Sequence, residues 1–135
     1  MTRWVIDLQA ADAANRELVG GKAAHLHELL TAGLSVPDAF VVTTEAFHSH
    51  FPTPDPAQVP EPPELQAPLL HELQRAVEIH FPEADMPLAV RSSAVAEDTA
   101  GASFAGQHDT YYYIDRNSVS QAVRQCWLSL WSAHA

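Results

Sequence analysis

Arg91 lies at the end of a short apolar run and is followed by two serines, in Leu88-Ala-Val-Arg-Ser-Ser93. A guanidinium is almost never fully buried without a partner, and its fixed fork of donors suits a phosphate group. A loop of small residues, Gly101 to Gly106, follows and allows backbone N–H groups to approach a ligand closely. Together these features indicate a polyphosphate site with one bidentate cation and a flap of backbone donors. The alternative, an arginine paired with Glu97 or Asp98 beside an ordinary surface loop, stays open on the chemistry alone.

A second candidate cation is Lys22, which follows Gly20 and Gly21 at the predicted start of a helix. The helix dipole mildly disfavours a lysine in the first turn. The placement becomes favourable when an anion also binds there, because helix N-termini and glycine turns both gather phosphate oxygens. The chain lacks the phosphate-loop spacing G-x-x-x-x-G-K-[ST]. A lysine that points into solvent is therefore the alternative.

Hydrophobic periodicity and turn residues predict the elements that position these two cations. Strands are predicted at 3–8, 39–43, 88–90 and 107–114. The strand from Leu88 to Val90 is expected to be buried, and Tyr111 and Tyr113 to lie on the face opposite Tyr112. Helices are predicted at 22–32, 44–51 and 64–80 and from Ser118 onwards, with a loop or an irregular turn at 10–18 and a stiff proline-rich connector at 52–63. Three features mark predicted helix boundaries: Gly33 as a C-cap, Thr44 as an N-cap and a capping box at Ser118-x-x-Gln121.

Two of the predicted helices carry a continuous apolar stripe, which indicates that each packs on a core. The final helix is still apolar at Trp131, so we expect this end either to self-associate or to bind a partner lobe. The first stripe comprises Leu65, Leu69, Leu73, Ala76, Val77 and His80, and the second Val119, Ala122, Val123, Cys126, Trp127 and Leu130.

Length and charge limit the possible functions. The 135 residues are predicted to form one domain, 1–135. A net charge of −10 without a basic run argues against nucleic acid as a partner. The single cysteine, together with the lack of a signal peptide or membrane span, favours a cytoplasmic protein without membrane contact. The spacing of the eight histidines gives no metal site, and we assign no catalytic residue and no metal ligand.

Several motifs occur in an order that resembles a known family. They are Gly20-Gly-Lys-Ala23, Val36-Pro37 with Phe40 to Phe47, Val90-Arg-Ser-Ser-Ala94 with Ala96-Glu-Asp98, Ala102-Ser-Phe-Ala-Gly-Gln107 with Asp109-Thr110, and Cys126 to Trp131. This order resembles the nucleotide-binding domain of the pyruvate phosphate dikinase superfamily, which includes phosphoenolpyruvate synthase and rifampin phosphotransferase. The resemblance covers nearly the whole chain apart from its middle.

The resemblance implies an α+β fold, the N-terminal lobe of an ATP-grasp-like domain, with a mixed or antiparallel sheet flanked by about four helices. It implies that ATP is the ligand, with Lys22 and Arg91 on the β- and γ-phosphates. Gly106, Gln107 and Thr110 would contribute contacts from the flap. The magnesium ligands are expected from a second lobe, which no part of this sequence resembles.

Two functions of different classes remain open. The first is the ATP-binding lobe of a dikinase or phosphotransferase that transfers a phosphoryl group to a histidine on another domain. The second is a non-catalytic truncated homologue that acts as a nucleotide-binding or protein-interaction module. On either interpretation we expect the isolated chain to have almost no turnover of its own.

Overall fold

The computed structural model describes residues 4–51, 64–83, 86–93 and 110–132, with residues 130–132 as backbone only. Strands and helices alternate irregularly in the chain, which confirms the α+β class. The strands are β1 (Val5–Asp7), β2 (Phe40–Val42), β3 (Leu88–Arg91) and β4 (Thr110–Ile114). The helices are α1 (Arg16–Val19), α2 (Gly21–Thr31), α3 (Thr44–His50), α4 (Ala67–His80) and α5 (Val119–Ser132), with 3-10 turns at Ala11–Ala14 and Arg116–Ser118.

Some predicted features fall outside the described residues. These are the connector 52–63, the loop 101–106, the acidic pair Glu97 and Asp98, and the candidate ligand residues Gly106 and Gln107.

The described strands form two separate ribbons, both antiparallel. In the first, β1 pairs with β2 so that Val5 lies opposite Val42 and Asp7 opposite Phe40. In the second, β3 pairs with β4 so that Leu88 lies opposite Ile114 and Arg91 opposite Thr110. Of the two sheet types that the sequence left open, the described strands are therefore of the antiparallel type.

In the part of the chain that the structure describes, two apolar clusters form the core. The larger one lies among α3, α4 and α5 and is centred on the indole of Trp127, whose centroid is 5.8 Å from that of Phe47 and 6.1 Å from that of Phe51. The predicted stripe on α5 is core as far as Trp127, because each of its members to that point is at most 6% exposed. The smaller cluster lies between α2 and the β1–β2 ribbon and comprises Leu8, Leu18, Val19, Ala23, Ala24 and Val41.

The segment 10–18 is more regular than the predicted loop or irregular turn, because it includes the start of a short helix. The segment forms a 3-10 turn at Ala11–Ala14 and then the short helix α1. The side chain of Asn15 accepts a hydrogen bond of 3.0 Å from the N–H of Glu17, and this cap starts α1. A helix of four residues is too short to produce a recognisable hydrophobic periodicity in the sequence.

Two predicted helix starts are also displaced. The N-cap of α3 is Thr43, whose hydroxyl accepts from the N–H of Ala46 at 3.3 Å, whereas the hydroxyl of Thr44 donates to the carbonyl of Glu17 at 2.7 Å. A 3-10 turn precedes α5, and its side-chain cap is Asp115 rather than Ser118. In both places a second polar residue nearby competes for the cap.

The start of α4 and the end of α2 differ from the sequence interpretation in smaller ways. Helix α4 begins at Ala67, with Pro68 in its first turn, rather than at Glu64. Leu65 is buried although it precedes this helix. At the end of α2, Ala32 is the C-cap, and Gly33, the next residue, adopts φ 90 and donates its N–H to the carbonyl of Leu30.

The β3–β4 ribbon is less buried than predicted, and its tyrosines do not alternate. Leu88 is buried, but Ala89 and Arg91 are exposed. The register shifts between Leu88 and Val90, and Tyr113 adopts φ 58, as in a β-bulge. Because the bulge breaks the two-residue repeat, Tyr112 and Tyr113 are both exposed, by 62% and 84%.

Candidate functional site

The turn that carries Lys22 is built around Gly20. This glycine has φ 85 and ψ 166, which a residue with a side chain adopts only with strain, and it is the N-cap of α2. Its N–H donates to the carbonyl of Arg16 at 2.9 Å, and its carbonyl accepts from the N–H of Ala24 at 3.1 Å. Gly20 and Gly21 are buried, so α1 turns directly into α2, with the half-buried Lys22 in the first turn.

Arg91 is the last residue of β3 and lies opposite Thr110, the first residue of β4. Its side chain is exposed, whereas the next residue, Ser92, is only 5% exposed. Among residues 4–51, 64–83, 86–93 and 110–132, no carboxylate is within salt-bridge distance of Arg91. The guanidinium therefore lies at an exposed strand end, and the next residue along the chain, Ser92, is buried.

Ser93 brings the two motifs together. Its hydroxyl accepts a hydrogen bond of 2.8 Å from the N–H of Ala23, 70 positions away in the sequence. The α-carbon of Gly20 also lies against Ser93, because a Cβ at Gly20 would overlap the carbonyl oxygen of Ser93. From this contact and the reach of two residues of chain, the α-carbons of Lys22 and Arg91 are at most about 15 Å apart.

Three of the five predicted ligand residues thus lie around one edge of the structure. Lys22 and Arg91 are joined through the Ala23–Ser93 contact, and Thr110 lies opposite Arg91. Gly106 and Gln107 are outside the described residues. Two cations and a hydroxyl form a donor set that suits the oxygens of a polyphosphate.

Ser93 belongs to the Arg91 motif, but its local sequence predicts no role for it. The signal available was the pair of serines directly after Arg91, together with a glycine N-cap that has no side chain to cap its own helix. Neither feature alone indicates which serine meets which helix.

Among the described histidines, the three that are partly or fully buried have structural partners. His27 Nδ1 lies 2.8 Å from the carbonyl oxygen of Leu8, and His50 Nδ1 lies 2.8 Å from that of Ala46. His80 lies between the carboxylates of Asp38 and Asp7. Within the part of the chain that the structure describes, no group of three His, Cys, Asp or Glu side chains is arranged to hold a metal ion.

None of the described helices combines the length and the apolar character that crossing a bilayer requires.

A glycine turn at a helix start and a strand-end arginine lie side by side in this α+β lobe, and their donors suit a phosphate group. The model of the family described as "Pyruvate phosphate dikinase, AMP/ATP-binding domain" matches residues 16–55 and 57–135. The chain belongs to this family.

Curated relatives agree with the family assignment. A rifampicin phosphotransferase of a Streptomyces species is 37% identical over 164 residues, with 98% of this chain and 18% of the relative covered. Prodigiosin synthesizing transferase PigC of Serratia marcescens is 35% identical over 144 residues, with 97% and 16% covered. Phosphoenolpyruvate synthase of Aeropyrum pernix is 35% identical over 153 residues, with 87% and 18% covered.

Two facts about length accompany these matches. The chain spans less than a fifth of each of these three relatives. The alignment with the Streptomyces protein is also longer than the 135 residues of this chain, so that relative contains internal residues that have no counterpart here.

Proposed function

We propose that this chain is the ATP-binding lobe of a dikinase- or phosphotransferase-type enzyme. In this role it holds the phosphates of ATP while a phosphoryl group is transferred to a histidine on another domain. The observation that carries the proposal is the 2.8 Å hydrogen bond between Ala23 and Ser93, which keeps the Lys22 turn beside the end of the Arg91 strand. Membership of the AMP/ATP-binding domain family supports it.

The residue roles follow from the chemistry of phosphoryl transfer, which depends mainly on positioning and on neutralising charge. Lys22 supplies a compact positive charge and Arg91 a planar fork for the β- and γ-phosphates. The hydroxyl of Thr110 donates from the neighbouring strand. Gly106 and Gln107 contribute backbone and side-chain contacts in the same proposal, on the strength of the family resemblance. The protein has only seven Lys and Arg residues against seventeen Asp and Glu residues, so this local pairing of cations is the feature that favours an anion.

The remaining parts of the proposal concern what completes the site. Magnesium neutralises phosphate charge when it is bound, and its ligands would come from a second lobe. That lobe would meet the chain near Trp131 at the end of α5, unless a second copy of the chain associates there instead. The whole assembly would act in the cytoplasm.

The proposal is tested by calorimetric titration of the purified chain with MgATP, alone and with a second lobe added. Lys22→Ala and Arg91→Ala should each weaken binding about 10- to 100-fold, since a charge-assisted hydrogen bond contributes about 1.5–3 kcal/mol. Arg75→Ala is the matched control, because Arg75 is an exposed arginine on α4. Unchanged affinity in both site variants would refute the phosphate assignment.

A further inference from the structure

We propose that Ser93 is a positioning residue of the nucleotide site. Its hydroxyl holds the Lys22 turn in a fixed relation to Arg91, so that both cations meet the same phosphate chain. This inference rests on the proposed function of the same site and adds a residue that does not itself touch the nucleotide.

The first step is the cap of α2. The first N–H groups of a helix have no partner within the helix and are usually satisfied by the side chain of the N-cap residue. The N-cap of α2 is Gly20, which has no side chain and makes no such bond. Ser93 supplies the missing acceptor from a distant part of the chain, at 2.8 Å from the N–H of Ala23.

The second step is the rigidity of this contact. The hydroxyl contact to Ala23 is accompanied by direct packing of Gly20 on the backbone of Ser93, where a Cβ would not fit. Ser92, on the other side, is 5% exposed. A segment with one buried residue, one capping hydrogen bond and a close backbone contact has little freedom to shift relative to α2.

The third step connects the contact to the two cations. Lys22 is the residue before Ala23, and Arg91 is two residues before Ser93. The link involves neither cationic side chain. The distance between the α-carbons of Lys22 and Arg91 is therefore set by the backbone segments that Ser93 joins. Loss of the hydroxyl would leave each cation on its own element but would make the distance between them variable. Simultaneous binding of both cations to one polyphosphate depends on that distance.

The test is a double-mutant cycle on the full chain, with MgATP affinity measured by NMR titration into the millimolar range. Ser93→Ala should weaken MgATP binding about tenfold, because the released Lys22 turn would lose much of its charge-assisted contact with the phosphates. If Ser93 acts through Lys22, the double variant Ser93→Ala with Lys22→Ala should bind no more weakly than Lys22→Ala alone. Ser93→Thr, which retains the hydroxyl, should bind within about twofold of the wild type. Ser49→Ala, at an exposed serine of α3, is the matched control and should leave the affinity unchanged.

The outcomes separate this inference from the proposed function. If Lys22→Ala and Arg91→Ala weaken binding but Ser93→Ala does not, the positioning role is overturned and the proposed function stands. The role is also overturned if Ser93→Ala lowers only the melting temperature, or if its effect adds fully to that of Lys22→Ala. If the wild type and the two cation variants do not differ in MgATP binding, the proposed function fails and the positioning role fails with it. Should Ser93→Ala not stay folded by circular dichroism, Ser93→Cys replaces it in the cycle, because sulfur is a weak acceptor of similar size.

Discussion

The Nε2 atom of His50 accepts a hydrogen bond of 2.9 Å from the backbone N–H of Gln66, the N-cap residue of α4. Because a backbone N–H can only donate, Nε2 is the unprotonated nitrogen, and the other ring nitrogen, Nδ1, carries the proton and donates to the carbonyl of Ala46 at 2.8 Å. His50 is 3% exposed, and the centroid of its ring lies 5.2 Å from that of the Trp127 indole. One neutral imidazole thus joins α3 to the start of α4 inside the larger core cluster.

We therefore expect His50→Ala to destabilise the chain by about 2–4 kcal/mol, because it removes two buried hydrogen bonds and leaves a cavity beside an aromatic ring. Chemical denaturation followed by tryptophan fluorescence measures this change. His71→Ala, at an exposed position of α4, should change the free energy of unfolding by less than about 0.5 kcal/mol. Equal stability of the two variants would show that His50 does not connect the helices.

A second prediction concerns His80 at the end of α4. Its Nδ1 atom lies 2.8 Å from a carboxylate oxygen of Asp38, and its Nε2 atom lies 3.6 Å from one of Asp7. The imidazole is 10% exposed but the carboxylates are about half exposed, so solvent screens much of the attraction. We expect His80→Ala to cost about 1 kcal/mol of stability, including its packing on Phe40.

The control for His80 is the exposed pair of His25 and Glu28, whose side chains are 64% and 67% exposed at 3.7 Å. Its disruption by His25→Ala should have almost no effect on the melting temperature. The melting temperatures of the wild type and the two variants are measured at low and at high salt. If the two variants show the same melting temperature at each salt concentration, the His80 contact is no more than an ordinary surface pair.

The sequence predicted the helices best where apolar residues repeat over several turns. The stripes of α4 and α5 showed which faces are buried, and Leu69, Leu73 and Val123 are indeed core. His80 was assigned to the apolar stripe, but its ring bridges two carboxylates that come from elsewhere in the chain. Periodicity reports which face a residue lies on and not which polar partners the fold brings to it.

The candidate site shows the same limit. The chemistry of Lys22 and of Arg91 could be read from each motif, because glycine turns and strand-end arginines have local signatures. The contact that joins them could not be predicted, since it pairs Ser93 with a backbone N–H 70 positions earlier. Tyr113 was misplaced for a related reason: its φ of 58 depends on the register of two strands and not on its own neighbours.

A third prediction separates two effects of glycine. Gly20 and Gly33 both have positive φ, at 85 and 90, but a Cβ at Gly20 would overlap Ser93, whereas a Cβ at Gly33 would meet open space. Gly33→Ala should cost about 1 kcal/mol from backbone strain alone. Gly20→Ala should cost more, on the order of 3 kcal/mol or above, because α2 and the segment after β3 must move apart.

Thermal unfolding of both alanine variants measures the difference, and MgATP titration of the Gly20 variant tests its consequence for the site. We expect the Gly20 variant to bind MgATP more weakly at a temperature where it is folded, and the Gly33 variant to bind normally. Equal losses of stability in the two variants would contradict the close contact between Gly20 and Ser93.

The last prediction distinguishes the charge of Arg91 from its shape. Arg91 is exposed at the end of β3, so its replacement should change stability by less than about 0.5 kcal/mol. Arg91→Lys retains the positive charge but loses the planar fork that binds two phosphate oxygens at once. We expect Arg91→Lys to weaken MgATP binding several-fold, between the wild type and the larger loss in Arg91→Ala, as measured by calorimetry at two salt concentrations. The added salt should reduce the affinity of the lysine variant by the same factor as that of the wild type, because both carry one charge. Full affinity in the lysine variant would show that Arg91 contributes charge only, and full affinity in the alanine variant would remove Arg91 from the site.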